Sequence, residues 1–380
     1  PLEDILASEI QGHPQQTEEK LVASYDLGKL VKDGIREVIP NKFLQCPVKI
    51  LDEGNRFPAD VLSIIMRLVD NGKAVYGGQV LEATPGPLFL TANYQDEGTF
   101  QLTPPFLDRF DVATMVTSPL SSNLAKIRAR GDEKLNGGIK SLLEIPEELR
   151  LDFNQIRKEI KNINEEIKDD VPIISAFADF LYSSLRFSEA ASKNLSRATK
   201  GNAWRVNQDN SQQGHFQDDP FNYTLDELSI RTVKAIPRYA KAFAWLNGKD
   251  KVDLSDLKVI LPYLLWHKIQ PSSKAISEDP IFENDRISFA QSLVEKVENE
   301  YTDLQGSDAL KYYTLTLDVL RNGKLKGKEV DEESIEKITR NAILKLSQTD
   351  KPYALTFASH LASEYNTRMV YSKWTTDVDH

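Results

Sequence analysis

The stretch Val48–Pro58 reads VKILDEGNRFP: an apolar run stops at two adjacent carboxylates, Asp52 and Glu53, and Gly, Asn and Arg follow before the chain turns apolar again. A short apolar run bounded by turn residues has the pattern of a buried strand. Acid pairs at its end have two readings. They can simply be a solvated strand end, or they can do chemistry, because open α/β sheets bind ligands at the C-terminal edge of their strands. There one carboxylate can hold Mg²⁺ through water and the next can orient and polarise an attacking water. The stretch by itself leaves both readings open.

Its surroundings narrow the choice. LQCPVKIL (Leu44–Leu51) and GPLFLTAN (Gly86–Asn93) are both continuous apolar runs, the pattern of strands in a parallel sheet. Between them, the apolar spacing of Ala59–Asp70 predicts a helix. Lys73–Ala83, with Gly77-Gly78 at its middle, predicts a hairpin. Strand, helix, hairpin and strand in succession predict an α/β layer. If the two long runs are neighbours in the sheet, Asn93 lies beside Asp52 and Glu53, where its amide can hold a water or contact a phosphate. Further on, FLDRFD sets Arg109 among apolar residues, where a long cation needs an anionic partner.

From about Ser118 the pattern is helical and no further strand run is seen. Lys200–Thr224 is rich in Asn, Gln, Asp and Gly and reads as a long excursion. Helical periodicity resumes at Leu225, and four more amphipathic helices are expected over 285–304, 308–321, 331–347 and 352–367. The expected organisation is an α/β core over 1–118, a helical lid domain over 119–270 and a helical extension over 271–380.

Composition sets further bounds. The 380 residues are 27% charged and 40% apolar, as in ordinary globular proteins, and the net charge of -10 argues against nucleic-acid binding through charge alone. Cys46 is the single cysteine and cannot form an internal disulfide. No stretch approaches the roughly 20 apolar residues of a membrane span, so a cytoplasmic location is expected. The five histidines lack ligand spacing, which argues against zinc. The start, Pro1-Leu2-Glu3-Asp4, is no signal peptide and lacks Met, so a fragment or a processed product is expected.

LDEGNRFPADVLSIIMRLVDNGKAVYGGQVLEATPGPLFLTANYQDEGTFQLTPPFLDRF closely resembles the core of the MoxR-type AAA+ ATPases over about sixty residues. EDILASEIQG (Glu3–Gly12) resembles the family's segment before its helix-2 insert, and Leu228–Ile269 resembles its lid helices. The resemblance implies that Asp52 (metal) and Glu53 (catalytic) are the Walker B pair, Asn93 is sensor 1, Arg109 is an arginine finger reaching into a neighbouring subunit's site, and Arg231 is sensor 2. It also implies ATP and Mg²⁺ as cofactors, a homo-oligomeric, hexameric ring, chaperone-like remodelling of a protein client, and a von Willebrand factor A domain protein as partner. Arg56 has two open readings, an intersubunit contact or a salt bridge at the helix start. The YGGQ hairpin is either a pore-facing client contact or purely structural.

One part of the pattern is missing. A P-loop needs G-x-x-x-x-G-K-[ST], and none of the five Gly-Lys pairs, at Gly28, Gly72, Gly248, Gly323 and Gly327, is followed by Ser or Thr. The expectation is that the P-loop has been lost from this chain, which alone should bind ATP poorly. A non-hydrolysing scaffold on a degenerate core is the competing expectation.

Overall fold

The computed structural model describes residues 7–93, 100, 102–116, 152–165, 167–168, 171–186, 220–305, 307–325, 327–348, 354, 357–358 and 360–369. The excursion expected over Lys200–Thr224 lies outside them up to residue 219, as does most of the charged stretch after Ser118. The chain forms two compact units, Pro1–Phe110 and Asp111–His380.

In the first unit, strands β1 (Ala7–Gln11), β4 (Val48–Asp52) and β7 (Leu88–Leu90) form a parallel sheet in the order β1-β4-β7. Ala7 pairs with Val48 through to Gln11 with Asp52, and Lys49 pairs with Leu88 through to Leu51 with Leu90. The acid pair therefore ends the middle strand. That strand starts later than its apolar run suggests: Lys42–Gln45 is a helical turn (α3), and Cys46 is extended because Pro47 follows it. Lys49 faces inward at 6% exposure, and its ammonium donates to the carbonyls of Cys46 and Thr84, each at 2.7 Å. Burial holds its pKa below the ordinary lysine value.

Helix α4 (Ala59–Asn71) buries Val61 and Ile65 and ends at Gly72, whose left-handed backbone (φ 65°) closes it. The hairpin β5–β6 (Lys73–Tyr76, Gln79–Glu82) turns through Gly77 and Gly78, both at positive φ as a tight hairpin turn requires. The sequence reading missed a second hairpin, β2 (Ala23–Tyr25) with β3 (Val38–Pro40), which carries helix α2 (Leu27–Asp33). Three-residue strands are too short to show a period. Two helical turns, α1 (Glu18–Leu21) and α5 (Pro104–Leu107), complete the unit. Leu21, Phe43, Leu51, Phe57, Ile65 and Phe106 are among the side chains of its core.

The second unit is helical: α6 (Phe153–Asn162), α7 (Ile173–Arg186), α8 (Ile230–Leu246), α9 (Leu254–Leu265), α10 (Ser273–Glu278), α11 (Arg286–Leu304), α12 (Asp308–Asn322), α13 (Glu332–Ser347) and a last helical stretch over 360–369. Side-chain oxygens of Ser229, Asp253, Ser272, Asp285, Ser307 and Asp331 accept backbone N–H groups at six of the helix starts. Contrary to the expectation of no strands beyond 118, Lys251–Val252 pairs with Asn164–Glu165, Ile167–Lys168 with Val171–Pro172, and Lys324–Leu325 with Lys328–Glu329. Each strand has only two residues, so none produces an apolar run.

Helix α7 buries ten of its 14 residues. The ring of Phe177 meets that of Tyr301 on α11 edge-on at 5.1 Å, and Phe180 meets Phe357 at 5.4 Å. Helices beyond residue 271 therefore share one core with those before it. Among the described residues no helix is long and apolar enough to cross a membrane.

Candidate functional site at the strand ends

Parallel strands bring their C-terminal ends to one edge of the sheet, and here that edge carries Gln11, Asp52 and Thr91. Gln11 is in register with Asp52 on one side. On the other side, the step after Leu51–Leu90 sets Thr91 across from Asp52. The Thr91 hydroxyl donates to Asp52 Oδ1 at 2.5 Å and accepts the Glu53 N–H at 3.0 Å.

Glu53 has φ 49° and ψ 49°, the sole non-glycine residue at positive φ among the described residues. That conformation costs an ordinary side chain about 1–2 kcal/mol, and such strain collects at functional positions. The Glu53 carboxylate accepts from Gln11 Nε2 at 3.3 Å and lies 3.5 Å from Arg56 Nη1. Of the two readings of Arg56, the salt bridge at the start of the following turn is therefore present.

The backbone closes tightly around this turn. The Gly12 N–H donates to the Asp52 carbonyl at 2.7 Å, and a Cβ on Gly12 would lie 2.1 Å from the Glu53 carbonyl oxygen, so only glycine fits. Asn55, 3% exposed, donates its amide to the Asn93 carbonyl at 2.8 Å and so fastens the segment after β7 to the turn after β4. Asp52 and Glu53 thus end β4, while β7 stops at Leu90 and Asn93 lies on the segment after it that Asn55 fastens to the turn. Sequence reasoning missed Gln11, Thr91 and Asn55. Thr91 stands two residues before Asn93 in LFLTAN, but its role needs the strand order.

Residues 227–288 match the family model described as AAA lid domain. A crystal structure of a protein from Cytophaga hutchinsonii, named there as a candidate ATPase, is similar with a TM-score of 0.54 and 19% identity, covering 76% of each chain. Among curated proteins none matches this chain. The chain has the AAA+ fold.

In this AAA+ fold, Arg231 belongs to the second unit and lies within the matched lid stretch. It is exposed at the second position of α8, just after the Ser229 cap. Arg109 belongs to the first unit. The sequence left its anionic partner to a neighbouring subunit, but Asp70 supplies one within the chain, Nη2 to Oδ2 at 2.7 Å, and the side chain is 20% exposed.

The helical unit of the AAA+ fold also holds a polar cluster that no sequence motif announces. Ser183 Oγ and Tyr313 OH approach His360 Nδ1 at 2.8 and 2.7 Å, and His360 Nε2 lies 3.1 Å from Glu364 Oε1. The hydrogen bond from His360 holds the Glu364 carboxyl below its usual range. Burial pushes the Tyr313 hydroxyl well above its own. Ser183 and Tyr313 are fully buried and His360 is 1% exposed, so the group joins three helices rather than meeting a substrate.

Proposed function

We propose that this chain is part of a MoxR-like AAA+ ATPase that couples ATP hydrolysis at subunit interfaces to chaperone-like remodelling of a protein complex. The observation that carries this is the strand-end arrangement: a strained Glu53 next to Asp52, fixed between Gln11 and Thr91 with Asn93 on the adjoining segment. In this reading Asp52 holds Mg²⁺ through water, Glu53 orients the attacking water, Asn93 contacts that water or the terminal phosphate, Arg231 has the role of sensor 2, and Arg109 serves a neighbouring subunit.

The residues fit a nucleotide-borne ion. No group of three His, Cys, Asp or Glu that could hold a metal occurs among the described residues, and Mg²⁺ characteristically takes one or two carboxylates and keeps waters and phosphate oxygens. When bound, the ion would neutralise charge on the phosphates. The reading requires a phosphate cradle with the P-loop pattern, which these 380 residues do not contain. A homo-oligomeric ring, a protein client and a von Willebrand factor A domain partner belong to the same proposal.

A second reading, a non-hydrolysing scaffold on this fold, draws on the Arg109–Asp70 pair, because a guanidinium already matched within the chain needs no phosphate. Glu53→Gln in the full-length protein separates the two. It should bind ATP and stop turnover, whereas undiminished hydrolysis would remove Glu53 from the mechanism and no hydrolysis by the wild type would favour the scaffold.

A further inference from the structure

Consecutive residues of a strand face opposite sides of the sheet, so in continuous β conformation Asp52 and Glu53 would project their carboxylates apart. The left-handed backbone of Glu53 ends that alternation. Its carboxylate reaches Gln11, whose register partner is Asp52, so both acids serve the same corner of the sheet edge.

On the β7 side, Thr91 is bonded to that turn at several points. Thr91 makes four hydrogen bonds to four successive residues: its N–H donates to the Leu51 carbonyl (2.9 Å), its hydroxyl donates to Asp52 Oδ1 (2.5 Å), its Oγ1 accepts the Glu53 N–H (3.0 Å), and its carbonyl accepts the Gly54 N–H (2.7 Å). The two side-chain bonds need a group that donates and accepts at once. A hydroxyl does this, while a methyl of the same size does neither.

We propose that Thr91 is a positioning residue for phosphoryl transfer, locking Asp52 and Glu53 into one rigid unit through its hydroxyl. This rests on the reading of those two carboxylates given under Proposed function. Thr91 occupies one oxygen of Asp52 and fixes the Glu53 peptide in its strained form, so a hydrated ion and an attacking water would meet carboxylates that need no rearrangement. Pre-organisation of this kind acts on turnover more than on nucleotide affinity.

The test compares Thr91→Val, Thr91→Ser and Glu53→Gln in the full-length protein, with two readouts. Amide hydrogen exchange at Glu53, measured without nucleotide or metal, should speed up about tenfold in Thr91→Val and stay near wild type in Thr91→Ser. With ATP and Mg²⁺, Thr91→Val should lose about tenfold in kcat while KM stays within about threefold, and Thr91→Ser should retain most activity. Should Thr91→Val not melt cooperatively, Thr91→Ala takes its place in the same comparison. Wild-type turnover in the variant lacking the hydroxyl, beside an inactive Glu53→Gln, would overturn the role of Thr91 alone. Equal losses in the Val and Ser variants would overturn it too, because the Ser variant would then lose activity with its hydroxyl in place. An active Glu53→Gln or a wild type without ATP turnover would overturn the reading of the acid pair and this proposal together.

Discussion

Arg109 gives two hydrogen bonds to a single oxygen of Asp70, Nε at 2.9 Å and Nη2 at 2.7 Å, and a third to the carbonyl of Pro105. Asp70 lies near the end of α4, so the guanidinium joins the loop after α5 to the helix that follows the acid pair. A cation held in this way can be a strut, or it can be a group kept in place until a stronger anion arrives. The two roles separate on substitution. As a finger, Arg109→Ala should lose more than about tenfold of assembly-dependent ATP hydrolysis, whereas Asp70→Asn, which frees the guanidinium, should keep it. The pair should contribute no more than about 1 kcal/mol to stability, so both variants should melt within a few degrees of wild type. Equal loss of activity in both would mark a strut.

Gly12 and Gly54 flank the strained turn but differ in what a methyl would strike. At Gly12 it would meet the Glu53 carbonyl oxygen at 2.1 Å, and at Gly54 the Leu90 side chain at 2.5 Å. Backbone tied into a sheet cannot withdraw, while a leucine can change rotamer. Gly12→Ala is therefore expected to cost about 3 kcal/mol and Gly54→Ala about 1 kcal/mol. Urea midpoints of the two variants would check the order, and a Gly54→Ala protein as unstable as Gly12→Ala would contradict it.

The helical unit depends on aromatic packing around α7. Phe180 is fully buried against Tyr301 and Phe357, with ring centroids 5.4 Å away in each case. Phe180→Ala should lose about 3–5 kcal/mol. Because those partners lie beyond residue 271, the loss should reach the lid helices and the later helices in one transition, and calorimetry would show two if they were independent.

Acid should weaken this unit through its helix caps. The carboxyls of Asp253, Asp285 and Asp331 sit below their ordinary value of 3.8, because of hydrogen bonds foremost from the Ser255 hydroxyl, the Ser288 N–H and the Ser334 N–H respectively. A depressed folded value means that the contribution is fully present above the unfolded value and is lost as pH falls through the folded one. Asp285→Ala should therefore lower the melting temperature at pH 7 by an amount equivalent to about 1 kcal/mol. Near pH 2 the same substitution should make little difference, and an equal deficit at both values would rule out the carboxylate as the source.

Helix α4, the later amphipathic helices and the acid-tipped strand were legible in the sequence because their causes are local. The period of α4 and the glycines of the β5–β6 turn act over a few residues, so the residue order alone fixes them. For the same reason the acid pair stands at a strand end as expected, whereas β7 ends at Leu90, before Asn93. The environment of those residues was decided by tertiary structure. Thr91 and Glu53 are 38 residues apart, Arg109 and Asp70 are 39 apart, and Gln11 and Glu53 are 42 apart. Ser183 and His360 are 177 apart. No local pattern chooses such partners. They meet because burial of apolar faces stacks the strands in the order β1-β4-β7 and draws the later helices onto α7, and hydrogen bonds then form between whichever polar groups that packing brings together.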